Sequence, residues 1–269
     1  MAGDLFIVAG QSQAVGYGDP APTVMQPPAR WRLWSAKEGS IGLRSEPDSF
    51  GSFGDNSPWR DFAREWLAQT GREAVFLCMA LGGTSMLQPA VSANLKYWDQ
   101  RSEGVNCMYT ERKPWINDAI AAMNLSKRFG NYRVFLIWDQ GGSDAEKLWA
   151  EGMSAAEYQT ACEALWARFL SDFPQIRKIG VMGMGQDTTA WDHANWTAVR
   201  NAQAAAVAAQ PKADFIFRAA HLADEMVVDE NGRWVSGFGT GSYADSWHYT
   251  GAANKVAGVT AAYNLAGMI

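Results

Sequence analysis

The chain has 269 residues, a hydrophobic content of 48% and a formal net charge of −5. This length allows one sizeable core and lies near the upper limit for a single domain, so we predict one domain over residues 1–269. The basic residues are scattered and form no cluster that could follow a phosphate backbone. This distribution argues against nucleic acid as a partner.

No apolar run approaches the roughly 20 residues that are needed to cross a bilayer, and the first residues lack the pattern of a secretory signal. We therefore expect a soluble chain without a membrane partner. The first predicted strand begins almost at the start of the chain, which also fits one domain of a larger secreted or phage protein. The compartment and the oligomeric state stay open.

Five short apolar runs predict strands that are buried on both faces, as in a parallel sheet. They cover residues 5–9, 74–81, 132–138, 179–184 and 215–217. Asn231 and Gly232 lie between two short apolar pairs and predict a small hairpin. Residues 89–112 show no clear period, and we expect them to form a surface insertion.

Helix signals alternate with these strands. Ser57 is a candidate cap with Pro58 in the first turn, and Gly71 is placed to end that helix. Ser154 and Glu157 have the spacing of a capping box ahead of a second amphipathic stretch. Strand and helix in alternation predict a three-layer α/β/α sandwich with a parallel sheet.

Polar residues follow the predicted strands where each one ends. The sequence Gly10-Gln11-Ser12 follows the first strand, the pair Gly82-Gly83 follows the second, and Gln140 follows the third. Ligands of open parallel sheets bind outside the carboxyl ends of the strands, so we expect these residues to share one site.

The sequence DSWHYTG near the end of the chain adds Asp245 and His248, with Thr250 as the predicted cap of a last helix. Each signal is weak alone, because a glycine and a serine after a strand usually form only a turn. Their joint occurrence in this order favours a shared site.

The segments GQSQAVG, ALGGTSM, LIWDQGGSDA and DSWHYTG resemble motifs of the SGNH (GDSL-like) hydrolases, in the branch of sialate O-acetylesterases and plant-type carbohydrate esterases. The motifs span residues 10–251, nearly the whole chain. The resemblance implies a flavodoxin-like fold, removal of acetyl groups from sugar hydroxyls, and no metal or organic cofactor. Two residues depart from the family pattern: Gln13 stands where asparagine is usual, and Gly142 stands where glutamate is usual.

Ester hydrolysis gives these residues definite roles. Ser12 would attack the ester carbonyl, His248 would take its proton, and Asp245 would orient the imidazole ring. The oxyanion would be bound by the backbone N–H groups of Ser12 and Gly83 and by the side-chain amide of Gln140. The choice of Gly83 over Gly82 follows the family pattern, and the residues themselves leave Gly82 open.

The expected substrate is an acetylated sugar or polysaccharide, with Gln13, Trp191 and Trp247 as candidate substrate-binding residues. The three histidines show no recognisable metal-ligand spacing, which argues against a metal-dependent deacetylase. Two alternatives remain: a noncatalytic carbohydrate-binding domain on the same fold, and an esterase for short acyl chains in general.

Overall fold

A computed structural model describes most of the chain at the level of secondary structure and side-chain contacts. The described residues are 2–16, 31–35, 40–44, 57–87, 96–99, 106–126, 129–147, 153–185, 193–218, 227–236 and 248–269.

The described strands form one large sheet and one small hairpin. The large sheet contains β1 (Gly3–Gly10), β2 (Trp31–Ser35), β3 (Ser40–Arg44), β4 (Glu73–Cys78), β5 (Val134–Asp139), β6 (Ile176–Gly183) and β7 (Ala213–Arg218). The hairpin pairs β8 (Val227–Val228) with β9 (Trp234–Ser236). All five predicted strands and the predicted hairpin are confirmed.

The order of the large sheet is β3-β2-β4-β1-β5-β6-β7. The β2–β3 pair is antiparallel, and the other neighbouring strands are parallel. Counted without β2 and β3, the parallel strands have the flavodoxin-like order 2-1-3-4-5. The order reverses between β1 and β5, so the crevice beyond the carboxyl ends of these two strands is the expected place for a ligand.

Seven described helices accompany the sheet. They are α1 (Ser12–Val15), α2 (Trp59–Thr70), α3 (Met108–Leu125), α4 (Gly142–Lys147), α5 (Ala155–Asp172), α6 (His193–Ala209) and α7 (Gly251–Gly267). One hydrophobic core lies between the sheet and α3, α5 and α6, and a second lies between the sheet and α2 and α7. The predicted three-layer α/β/α sandwich is therefore confirmed.

Helix ends follow the predicted capping residues with one exception. The Ser154 hydroxyl accepts from the Glu157 N–H, and the Glu157 carboxylate accepts from the Ser154 N–H, which is the predicted capping box. Gly71 ends α2 in the left-handed conformation. The prediction for Ser57 is wrong, because α2 begins at Trp59 and Pro58 occupies the cap position without a side-chain hydrogen bond.

The prediction of a surface insertion at 89–112 is wrong for the residues described within it. The Trp98 side chain is fully buried and packs edge-to-face on Trp138, with ring centroids 5.2 Å apart. Tyr97 forms bridges to Ser85 and Cys107, and the last residues of the segment belong to α3. An aperiodic stretch can thus supply core side chains, because burial here comes from neighbours that are distant in sequence.

Two further findings concern the described residues alone. None of the described helices is long and apolar enough to span a membrane. The described His, Cys, Asp and Glu side chains form no group of three or more that could hold a metal ion.

Candidate active site

Ser12 lies at the start of α1, directly beyond the carboxyl end of β1. The turn before it needs glycine, because Gly10 has a φ of +143° and an added Cβ would lie 1.9 Å from the Asp139 carbonyl oxygen. The Gln11 N–H donates to this same oxygen at 3.0 Å. Close approach of β1 and β5 thus places Ser12 at the crevice where the strand order reverses.

The other end of the Ser12 turn is anchored to α2. The Trp59 indole N–H donates to the Ala14 carbonyl oxygen at 2.7 Å, and both residues are buried. Gly16 closes α1 in the left-handed region with a φ of +95°. The turn that carries Ser12 is therefore held at both ends by buried contacts.

His248 reaches Ser12 from the far end of the chain. The His248 Nε2 and Ser12 Oγ atoms are 2.9 Å apart, a hydrogen-bond distance between residues separated by 236 positions. His248 precedes the first turn of α7, whose cap Thr250 accepts from the Ala253 N–H, as predicted. With the proton on Nδ1, the imidazole Nε2 accepts from the Ser12 hydroxyl, which is the arrangement of a serine and its general base.

Gln13 links the segments that carry Ser12 and His248. Its Nε2 donates to Asn254 Oδ1 at 2.7 Å, and its Oε1 accepts from the Tyr249 N–H at 3.3 Å. Asn254 in turn donates from Nδ2 to the Tyr249 carbonyl oxygen at 3.4 Å. Gln13 also lines the cleft beside Ser12, so its candidate role in substrate binding stays a prediction.

The predicted glycine turn adjoins the end of β1. Gly83 has a φ of +71°, in the left-handed region that favours glycine. The Leu81 N–H and the Thr84 hydroxyl both donate to the Gly10 carbonyl oxygen at 3.2 Å. Gly83 is not among the described residues that line the cleft, and its role as an oxyanion donor stays a prediction.

Gln140 lines the cleft, as the sequence predicts, and its side chain is firmly held. The amide nitrogen donates to Asp144 Oδ2, and the amide oxygen accepts from the Tyr158 hydroxyl at 3.0 Å. The Gln140 backbone carbonyl accepts from Gln203 Nε2. The second N–H of this amide donates to Gln11 Oε1 at 3.3 Å, so an oxyanion bound by Gln140 would share that N–H with Gln11.

Asp144 connects the Gln140 side-chain amide to the loop after β4. Its carboxylate accepts from the Met86 N–H at 2.8 Å and from the Leu87 N–H at 3.0 Å. Burial raises the pKa of Asp144 to about 6, although the hydrogen bonds from these N–H groups and from Gln140 lower it. Asp144 therefore fastens the loop after β4 to the loop after β5.

Gln11 and Asp139 are site residues to which the sequence assigned no role, although Gln11 lies in the predicted turn before Ser12. Gln11 Oε1 accepts from the Gly141 and Ser143 N–H groups, each at 3.2 Å. Asp139 ends β5, is 5% exposed, and has an Oδ2 atom without a hydrogen-bond partner among the described residues. Burial raises the pKa of Asp139 to about 7. The available signal was a carboxylate at the end of an otherwise apolar strand.

A shallow cleft, whose space of about 370 Å³ is partly open to solvent, lies beside the Ser12–His248 pair. Its walls come from the loops after β1, β5 and β6, from α6, and from the segment before α7. The lining residues are Gln11, Ser12, Gln13, Asp139, Gln140, Gly142, Met184, Gly185, Trp196, His248 and Tyr249. The cleft therefore lies where the sheet topology predicts a ligand site.

Three predicted site residues lie outside the described part of the chain: Asp245, Trp191 and Trp247. The described residues thus bring together Ser12, Gln13, Gln140 and His248 around one cleft.

Solved structures with the same fold are found at low sequence identity. A protein from Arabidopsis thaliana has a TM-score of 0.63 at 16% identity, covering 100% of both chains. An alpha/beta hydrolase enzyme from the metagenome of Lake Arreo, Spain, has a TM-score of 0.52 at 12% identity, covering 98% of this chain and 95% of that chain. A protein named as a GDSL-like lipase from Parabacteroides merdae has a TM-score of 0.51 at 10% identity, covering 100% and 97%.

No protein-family model and no curated protein sequence matches the chain. The structural likeness agrees with the three-layer α/β/α fold that the sequence predicts.

Proposed function

We propose that the protein is a serine ester hydrolase that removes acetyl groups from sugar hydroxyls. The observation that carries this proposal is the distance of 2.9 Å between Ser12 Oγ and His248 Nε2 at the edge of the cleft. A serine hydroxyl is a weak nucleophile unless a neighbouring base takes its proton, and a neutral imidazole does so near neutral pH. Similarity to the fold of a protein named as a GDSL-like lipase agrees with an ester substrate.

In the proposed mechanism, Ser12 Oγ attacks the acetyl carbonyl carbon while its proton passes to His248 Nε2. The tetrahedral intermediate then collapses, the bond between the carbonyl carbon and the sugar oxygen breaks, and His248 returns the proton to that oxygen. Water attacks the acetyl-serine with His248 again as the base, which releases acetate and restores the hydroxyl. Asp245 is proposed to orient the ring and to stabilise the imidazolium.

The negative charge on the carbonyl oxygen needs donors that are already in place. We assign this role to the N–H groups of Ser12 and Gly83 and to the Gln140 side chain. The close approach of the Gly82-Gly83 turn to the end of β1 supports this assignment, since Leu81 and Thr84 both bond to Gly10. One such donor contributes a rate factor of about 10² to 10³.

Acetylated carbohydrate is the proposed substrate class on two grounds. The motifs resemble carbohydrate esterases, and the cleft walls carry polar groups that can bind sugar hydroxyls, among them Gln11 and Asp139.

The test is acetate release from p-nitrophenyl acetate and from a panel of acetylated sugars and polysaccharides. Ser12→Ala is expected to abolish release, because no nucleophile remains. The matched control is Ser171→Ala, which removes the hydroxyl of an exposed serine on α5 and should leave release unchanged.

Each other outcome has a definite meaning. Turnover that persists in Ser12→Ala contradicts the serine mechanism. Saturable sugar binding without turnover by the unaltered protein supports a noncatalytic binding domain. Equal rates on acetyl and butyryl esters, with no preference for acetylated sugars, support a general short-chain esterase.

A further inference from the structure

Gln13 uses both ends of its side-chain amide to bind protein groups. Its Nε2 donates to Asn254 Oδ1 at 2.7 Å, and its Oε1 accepts from the Tyr249 N–H at 3.3 Å. Asn254 also donates to the Tyr249 carbonyl oxygen, which closes a ring of three residues. Asn254 is 1% exposed and Tyr249 is 4% exposed, so water cannot readily replace these bonds.

The ring joins the two reacting side chains through their neighbours in sequence. Gln13 directly follows Ser12, and Tyr249 directly follows His248. Asn254 lies on the first turn of α7, where its N–H donates to the Thr250 carbonyl oxygen. Gln13 therefore links the Ser12 turn to the His248 segment. This link lies one residue along the chain from each partner of the Ser12–His248 hydrogen bond.

The length of the side chain matters for this bridge. Asparagine, which is usual at this position in the resembling family, is shorter by one methylene, about 1.5 Å, and could not keep both bonds without movement of the backbone. A misplacement of about 1 Å between reacting groups can lower a rate by roughly 100-fold.

We propose that Gln13 is a positioning residue that holds Ser12 and His248 at reaction distance by bridging the nucleophile turn to the start of α7. The inference rests on the proposed function, because positioning matters only if these two residues react. It assigns Gln13 to protein contacts in place of the substrate contact that its sequence position suggested.

The test compares Gln13→Asn and Asn254→Ala, singly and together, with Gln69→Asn as the matched control. Gln69 lies on α2, and its amide bonds to Glu65 on the exposed face of that helix. With p-nitrophenyl acetate and an acetylated sugar, Gln13→Asn should lower kcat by about 10- to 100-fold and change KM by less than about 2-fold. The double variant should lose little beyond the larger single loss, since both changes break one ring.

A second measurement follows His248 without turnover. The chain has three histidines, so their imidazole C–H signals can be resolved by NMR, and His248→Gln identifies the signal of His248. Gln13→Asn should move the His248 signal and leave the other two in place, whereas Gln69→Asn should move none. This measurement does not use Asn254→Ala, so it still tests the proposal if that variant fails to fold. It uses Gln13→Asn, which changes a partly exposed side chain.

These outcomes separate the two proposals. A raised KM with unchanged kcat in Gln13→Asn would show a substrate contact and overturn the positioning role. Unchanged kcat together with an unmoved His248 signal would also overturn it. If the unaltered protein shows no turnover that depends on Ser12, the proposed function fails, and a His248 signal that moves in Gln13→Asn alone would still support the bridge.

Discussion

Asp139 ends β5 and Asp144 lies five residues further along the chain, in α4; both are buried, and their carboxylates have opposite surroundings. Asp144 accepts hydrogen bonds from the Met86 and Leu87 N–H groups and from Gln140. The Asp139 Oδ2 atom has no such partner among the described residues. Burial raises both pKa values, to about 7 for Asp139 and to about 6 for Asp144. The same substitution should therefore have opposite effects at the two positions.

We expect Asp139→Asn to stabilise the protein above neutral pH. The folded-state pKa of about 7 lies above the ordinary value of 3.8, so the folded state binds the proton more tightly than the unfolded chain. The free energy of unfolding of the unaltered protein should therefore fall as the pH rises from about 4 to about 7, by at most about 4 kcal/mol. Asparagine cannot ionise, so the variant lacks this loss.

Urea unfolding of both proteins at pH 5 and pH 8 checks the Asp139 prediction. The free energy of unfolding of the variant should exceed that of the unaltered protein by a larger amount at pH 8 than at pH 5. If the free energy of unfolding changed with pH in the same way in both proteins, Asp139 would not be the carboxyl that ionises.

Asp144→Asn should instead destabilise the protein by about 1–3 kcal/mol at pH 7, because one of the two carboxylate oxygens that accept backbone N–H groups is lost. Amide hydrogen exchange at Met86 and Leu87 should become faster, since these groups depend on Asp144. Asp118→Asn, at an exposed position of α3, is the matched control and should change stability by less than about 0.5 kcal/mol. Unchanged exchange at both amides would be evidence against the fastening role.

Asp4 should show the reverse pH dependence. Burial acts to raise its pKa, but hydrogen bonds and charges from Arg133 and Arg72 outweigh burial and hold the pKa below the ordinary value of 3.8. The pair of arginines thus contributes stability that is fully present above about pH 4 and is lost as the pH falls through the folded-state pKa. Asp4→Asn should cost about 3 kcal/mol at pH 7, since it leaves Arg72 and Arg133, which are 20% and 18% exposed, without their shared buried countercharge.

Unfolding titrations from pH 7 to pH 3 check the Asp4 prediction. The difference between the unaltered protein and Asp4→Asn should narrow toward the acid end. A difference that stays constant over this range would show that the carboxylate charge is not what stabilises the fold.

Gly10→Ala and Gly71→Ala test the close approach that places Ser12. Both glycines have positive φ values, but an added Cβ at Gly10 would lie 1.9 Å from the Asp139 carbonyl oxygen, whereas at Gly71 it would meet open space. We expect Gly71→Ala to cost about 1 kcal/mol and Gly10→Ala to cost at least about 3 kcal/mol or to prevent folding. Thermal unfolding of the two variants side by side measures this, and equal losses would contradict the steric argument.

The sequence by itself determined the elements whose signals are local. Apolar runs predicted β1 and β4 to β7, because strands of a parallel sheet are buried on both faces and need no alternation. Capping residues such as Ser154 and Thr250 predicted helix starts, because a side chain bonds to an N–H only a few residues away. Ser12 stood out because it follows the first predicted strand, and His248 stood out because it precedes the predicted cap of the last helix.

Only the tertiary structure decided which residues meet across the chain. The β2–β3 pair and α3, which carries Pro114 in its interior, had no clear local signal, and Trp98 is buried by neighbours such as Trp138 that are distant in sequence. Gln13 and Asn254 are 241 positions apart, so nothing near either residue shows that they bond. Asp139 and Asp144 look alike in sequence and differ only in their hydrogen-bond donors. A carboxylate's pKa and an amide's role depend on surrounding groups, and these are fixed only when the strands and helices pack.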